Sequence, residues 1–184
     1  MEYTVKLKLA LFALLLPTLG NADILQTGEN LITKFGPSFS DYEYYEPFSM
    51  NEHDTQFTLW KSKKRGFSDH YAVNIGSTDN VTLMGFKLSQ DGPADRNCVD
   101  YKSTQAEKMV LNGYDGIAWK STCELDDLTI TSLQVAIMGN EHFYLMRKMW
   151  KMPVTDEKVI EWQTLLSQSS VCDTTNTAHA CPAE

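Results

Sequence analysis

Apolar and polar residues alternate along much of the chain from Thr55 onward. In "TQFTLWK" Phe57 and Leu59 oppose Trp60, "HYAVNIG" places Tyr71, Val73 and Ile75 on one side, and "NVTLMGFKL" carries Val81, Leu83 and, past Gly85, Phe86 and Leu88. Period-two runs separated by turn residues predict an antiparallel meander. "KSKKRG" supplies a charged turn between the first two runs. Further on, "GIAWKSTCEL" reads as extended, with Ile117, Trp119 and Ser121 on one face, and "LTITSLQVAIMGNEHFYLMRKMWK" as two long strands joined near Gly139-Asn140, a strong hairpin signal.

The clearest helix is "PVTDEKVIEWQTLLSQSS". Pro153 ends the preceding strand, Thr155 can cap the helix, and Asp156 and Glu157 suit the positive end of its dipole. Val159, Trp162, Leu165 and Leu166 form a stripe at helical spacing, and such a stripe needs a sheet to lie on. Other segments carry weaker patterns. "DILQTGENLITKFG" has the loose helical spacing of Leu25, Leu31, Ile32 and Phe35, broken at Gly28 and stopped by Gly36-Pro37, and is expected to form at best a short helix. "PSFSDYEYYEPFSMNEHD" has no sustained period and reads as an ordered loop packing its tyrosines on the body of the domain. "CVDYKSTQAEKMVLNGYDG" is open between helix and strand, and a short helix or irregular segment is favoured. The expected fold class is α+β: a mainly antiparallel sheet of about six strands with a C-terminal helix packed on one face.

In element order, the antiparallel strands followed by the final "TDEKVIEWQTLLSQS" helix resemble the PsbP-like α/β sandwich over about the last two thirds of the exported chain. The resemblance implies an architecture used by small exported accessory proteins and transfers no activity.

The N-terminus changes the domain picture. Lys6 and Lys8 precede an apolar run from Leu9 to Leu16, then Pro17 and small residues ending at Ala22, the layout of a cleaved secretory signal. Residues 1–22 are therefore expected to be a signal peptide and residues 23–184 a single exported globular domain, secreted or periplasmic. Losing Glu2, Lys6 and Lys8 moves the net charge from −8 to −9, which argues against nucleic acid or an anionic membrane as the main partner. The four cysteines, Cys98, Cys123, Cys172 and Cys181, are even in number, so an oxidising compartment favours two disulfides. Of three pairings, proximity favours Cys98–Cys123 with Cys172–Cys181, the latter closing the tail.

Candidate chemistry is sparse. Met146, Met149 and Met152 recur at equal intervals, and thioethers suit Cu(I), but in a strand Met149 points away from the other two. The segment is read as scaffold, and no cofactor or metal is expected. Lys61, Lys63, Lys64 and Arg65, flanked by Trp60 and Phe67, are the one strong charge concentration on an acidic chain. They are the candidate contact surface for a protein or anionic ligand, against the plainer reading of a solvated turn whose lysines protect an edge. There is no G-x-S-x-G elbow, Ser68-Asp69-His70 is contiguous where a triad is defined by converging geometry, and His53, His70, His142 and His179 show no metal spacing. Asn80-Val81-Thr82 is a glycosylation sequon, relevant only in a eukaryotic secretory pathway. The leading expectation is a non-enzymatic binding, accessory or secreted effector-type protein. The alternatives are a hydrolase without a recognisable motif and a periplasmic copper or small-ligand carrier.

Overall fold

The structure is a computed structural model that describes residues 25–33, 40–50 and 55–182. The expected signal peptide and His53 lie outside the described residues. Twelve elements follow in order: β1 (Glu29–Ile32), β2 (Tyr42–Met50), β3 (Thr55–Ser62), β4 (Gly66–Ser77), α1 (Leu83–Asn97), β5 (Asp100–Ser103), β6 (Glu107–Leu111), β7 (Tyr114–Leu125), β8 (Leu128–Met138), β9 (His142–Trp150), α2 (Asp156–Ser167) and β10 (Ser170–Asp173), with a 3-10 turn at Thr177–His179. Eight strands form one antiparallel sheet in the order β2-β3-β4-β9-β8-β7-β5, with β6 also on the free edge of β7, and β1 pairs β10 separately. Among the described residues, no helix is long and apolar enough to cross a membrane.

The α+β class and the antiparallel pairing are as expected, but the strand count is not: ten strands replace six. Four segments account for the difference. Around Gly28, whose φ of 95° breaks a helix, the chain extends instead and Glu29–Ile32 finds its partner in Ser170–Asp173. The tyrosine-rich segment read as a loop is the edge strand β2, with a register shift between Tyr45 and Phe48 that accommodates Pro47, since proline lacks a ladder donor. The segment from Cys98 to Gly113 yields two short strands, both laid against the long β7. "NVTLMGFKL", read as a third meander strand, instead opens α1, where the Thr82 hydroxyl accepts from Gly85 N at 3.1 Å.

Strands β8 and β9 are buried on both faces. Leu133, Val135 and Ile137 of β8 and Tyr144, Met146 and Trp150 of β9 join a cluster with Val159, Trp162 and Leu166 of α2. The alternate positions Ala136, Phe143 and Leu145 join Ile117 and Trp119, with Leu83 and Phe86 packed against them. Period-two alternation therefore feeds two cores from the same strands. Two backbone devices hold the corners. Asn112 and Gly113 both have positive φ, 53° and 83°, the requirement of a two-residue I′ hairpin, and Asn112 Nδ2 reaches the carbonyls of Val171 and His179, each at 3.0 Å. At the β8–β9 turn the Glu29 carboxylate accepts from the backbone N–H of Asn140, Glu141 and His142. A Cβ at Gly139 would lie 2.7 Å from the His142 carbonyl oxygen.

Cys98 is bonded to Cys123 and Cys172 to Cys181, the pairing that proximity favours. The first joins the end of α1 to β7 and closes a 25-residue separation, worth about 3 kcal/mol of chain entropy.

Leu166 is 1% exposed and Ile160 60% exposed on the same helix. Leu166→Ala is expected to cost about 2–5 kcal/mol in denaturant unfolding, whereas Ile160→Ala should stay within about 0.5 kcal/mol. Equal losses would mean that α2 does not use this stripe for packing.

Candidate binding groove

The basic turn between β3 and β4 does not act as one patch, because alternation divides it. Trp60 points toward the α2 side, packing on Tyr71 with ring centroids 5.2 Å apart and edge-on to Tyr44 at 5.7 Å. Lys61 points the other way, where it meets Glu43 at 3.0 Å and lies over the rings of Tyr45 and Phe67. Lys63, Lys64 and Arg65 sit in the turn itself and line a groove of about 440 Å³ together with Trp150, Trp162 and Lys158. Thus three of the six residues singled out in the sequence share one site. Trp60 belongs to the aromatic core, and Lys61 and Phe67 lie on the opposite face.

Turn geometry fixes the cations at the rim. Lys63 Nζ donates to the Ser40 carbonyl at 2.6 Å, and Arg65 Nη1 approaches Met152 Sδ at 3.2 Å. Among the described residues no ion pair joins Lys63, Lys64 or Arg65 to an acid. Lys158, by contrast, is paired with Glu161 at 2.9 Å. The groove therefore offers three positive charges outside any ion pair among the described residues, over an aromatic floor, with the acids Asp41, Asp69 and Glu161 in the same lining.

Behind that floor is a group the sequence reading missed. Lys148, fully buried on β9, pairs with Asp69 of β4. Its ammonium also donates to the Tyr42 hydroxyl at 2.8 Å, and Tyr42 donates to Asp69 Oδ1 at 2.8 Å. The same ammonium lies 4.5 Å from the ring centroids of Tyr42 and Trp162 and 5.0 Å from that of Trp150, so a closed aromatic box surrounds it. Burial pushes the Lys148 pKa down to about 8, opposed by its bond to Asp69. Burial, followed by the Asp69 hydrogen bond, pushes the Tyr42 hydroxyl well above its ordinary value. One signal was legible: on β9 the even positions face the core, and Lys148 falls between Met146 and Trp150 on that inward side.

The remaining sequence candidates disperse. Met146 is buried in the core under α2, Met149 points to the α1 side and Met152 lies past the strand end, so their sulfurs do not converge. Asp69 and His70 face opposite sides of β4. Asp69 holds Lys148, while His70 Nδ1 donates to the Phe67 carbonyl at 2.8 Å, so the Ser68-Asp69-His70 run forms no relay. Glu29, Glu141 and His142 bring possible metal-ligand atoms within 4.8 Å of one another. The Glu29 carboxylate is already engaged with three backbone N–H groups of the β8–β9 turn, which gives the cluster a structural role.

Lys148→Met is expected to cost about 3–5 kcal/mol, because it strands the Asp69 charge in the interior, and Lys148→Met/Asp69→Leu should recover most of that loss. Both are read from denaturant unfolding. The Lys148 value near 8 lies below the ordinary 10.5, so between them the unfolded chain holds the proton more firmly. The Lys148 contribution to stability therefore rises with pH across that window. Tyr42, raised above 10.0 in the fold, opposes this from about pH 10 upward. Titration of the lysine side-chain NMR signals should show one midpoint near 8, and a full set at 10.5 would contradict the burial.

No protein-family model matches the sequence, and no curated protein matches it. Among solved structures, a protein of unknown function from Pseudomonas aeruginosa aligns with a TM-score of 0.48 at 10% identity, covering 69% of this chain and 94% of that one. The solution structure of cyanobacterial PsbP (CyanoP) from Synechocystis sp. PCC 6803 aligns with a TM-score of 0.53 at 11% identity, covering 84% of this chain and 99% of that one. The chain has a PsbP-like fold.

Proposed function

We propose that this protein is an exported, non-enzymatic binding or accessory protein that holds an anionic segment of a partner in the groove between the β3–β4 turn and α2. The observation that carries the reading is the trio Lys63, Lys64 and Arg65, in no ion pair among the described residues, at the rim of a 440 Å³ groove floored by Trp150 and Trp162. Cations at a rim steer an acidic ligand, and the indoles beneath, Trp150 at 1% and Trp162 at 2% exposed, are core groups that hold the groove's shape. Export is supported by the leader pattern of residues 1–22 and by the two disulfides, which persist in oxidising compartments. Binding is favoured over catalysis because the buried titratable groups behind the groove floor are locked to each other, Lys148 to Asp69 and Tyr42.

The test uses the secreted form with two polyanion probes, a fluorescent poly-glutamate peptide and dextran sulfate. Binding should weaken steeply with salt, as expected for exposed charges within about 10 Å screening lengths at 0.1 M. Lys63→Glu/Lys64→Glu/Arg65→Glu should abolish it without changing the circular dichroism spectrum, while Lys61→Glu should leave it nearly intact. Unchanged binding by the triple variant would remove the groove as the contact surface.

A further inference from the structure

The face of the main sheet turned toward α1 carries polar atoms with no hydrogen-bond partner among the described residues. Register places Trp119, Gln134 and Arg147 side by side on β7, β8 and β9. Each buries an atom that makes no hydrogen bond: Trp119 Nε1, Gln134 Oε1 and Arg147 Nε. Gln134 is only 4% exposed. Buried polar groups are nearly always bonded, so a row of three orphans on neighbouring strands calls for a reason.

Gln134 and Arg147 open on a cavity of about 290 Å³ between the sheet and α1, whose residues Gln90 and Asn97 line it from the helix side. The volume lies just below the roughly 300–1,000 Å³ usual for ligand sites, as suits a small ligand. Arg147 is the group that needs an occupant. Among the described residues it has no ion pair. Asp91, the carboxylate of α1 near this face, is already held by Lys87, Tyr101 and Ser103. His70, across the β4–β9 pairing on the same face, brings no negative charge either. It is held below its ordinary pKa by burial first, with Arg147 among the cations that add to the effect. Arg147 is partly buried, its Nε out of contact with water; that burial pulls the guanidinium below its ordinary value, and a poorly solvated guanidinium favours an anion beside it.

We propose that this cavity binds a small carboxylate that carries a neighbouring hydroxyl or amino group. The carboxylate accepts from the Arg147 fork, the adjacent donor satisfies Gln134 Oε1, and Met149 and Ile130 border the carbon skeleton. The site is independent of the groove on the α2 side and does not rest on the reading given to it.

The experiment is thermal unfolding and isothermal titration of the full chain with L-serine, glycolate and lactate, with neutral lactamide and sodium sulfate as controls. At least one of the three carboxylates should raise the unfolding midpoint in a concentration-dependent way, while lactamide and sulfate leave it in place. Arg147→Met should weaken that binding by about 10- to 100-fold, and its ligand-free midpoint should equal or exceed that of the parent, because a poorly solvated charge is gone. Arg147→Lys, which keeps the charge but loses the fork, should bind more weakly than the parent. No shift with any carboxylate overturns the proposal. So does an equal shift with sulfate, unaltered binding in Arg147→Lys, or a fall in the ligand-free midpoint of Arg147→Met, which would mark the guanidinium as already satisfied by the fold.

Discussion

The buried Lys148–Asp69 pair is the constraint on which the rest of the α2 side depends. An ammonium with no exposed surface is tolerated only where its charge is met and its hydrogens are used, and the fold supplies both from distant parts of the chain. Asp69 comes from β4, the Tyr42 hydroxyl from β2, and the indoles of Trp150 and Trp162 from β9 and α2. Meeting one charge thus fixes the register of β4 on β9, the approach of edge strand β2 and the seat of the C-terminal helix together. The groove is the outer surface of that arrangement. Its aromatic floor consists of the rings that box the ammonium, and the β3–β4 turn forms its rim.

The two faces of the sheet solve different problems. Under α2 the contacts are large and aromatic, and the helix contributes Val159, Trp162 and Leu166 to a continuous core. Under α1 the inner surface is most apolar at one end, around Ile117, Phe143 and Leu145, and becomes mixed toward Gln134, Arg147 and Ser132. A helix lying over a mixed half cannot be held by apolar burial alone. The Cys98–Cys123 bond at its C-terminal end and the Lys87–Asp91–Tyr101 cluster along its length supply the attachment instead.

This division explains what was legible in the sequence. Strands β3, β4, β7, β8 and β9 and helix α2 declare themselves, because their apolar residues run in long extended or helical patterns. Helix α1 does not: it contains Gly85, Gly92 and Pro93, it leaves Met84 and Leu88 exposed, and its one buried residue is Lys87. A segment attached by a disulfide and a polar cluster has no stripe to read, and its apolar residues mimic a strand. β1, β5 and β6 are short and owe their extended state to longer or distant partners, which local patterns cannot show. The site divides in the same way. Lys63, Lys64 and Arg65 are visible as a run of charge, whereas Tyr42, Asp69, Lys148 and Trp162 converge only through pairing register.

Charge completes the picture. On a chain of net charge −8, an acidic ligand is repelled by most of the surface, and at physiological salt the field of a local cluster extends only about 8 Å. Attraction is then confined to places where cations gather without being taken up in ion pairs. Among the described residues the fold makes two such places of opposite kind. The turn presents Lys63, Lys64 and Arg65 to solvent, where each charge is weak and only their number and common direction matter. Arg147 stands alone between sheet and helix, where poor solvation makes a single charge strong. The first arrangement suits an extended anionic surface and the second a small anion that can be enclosed. Because the two lie on opposite faces of one sheet, linked through alternate residues of β9, occupation of one need not obstruct the other.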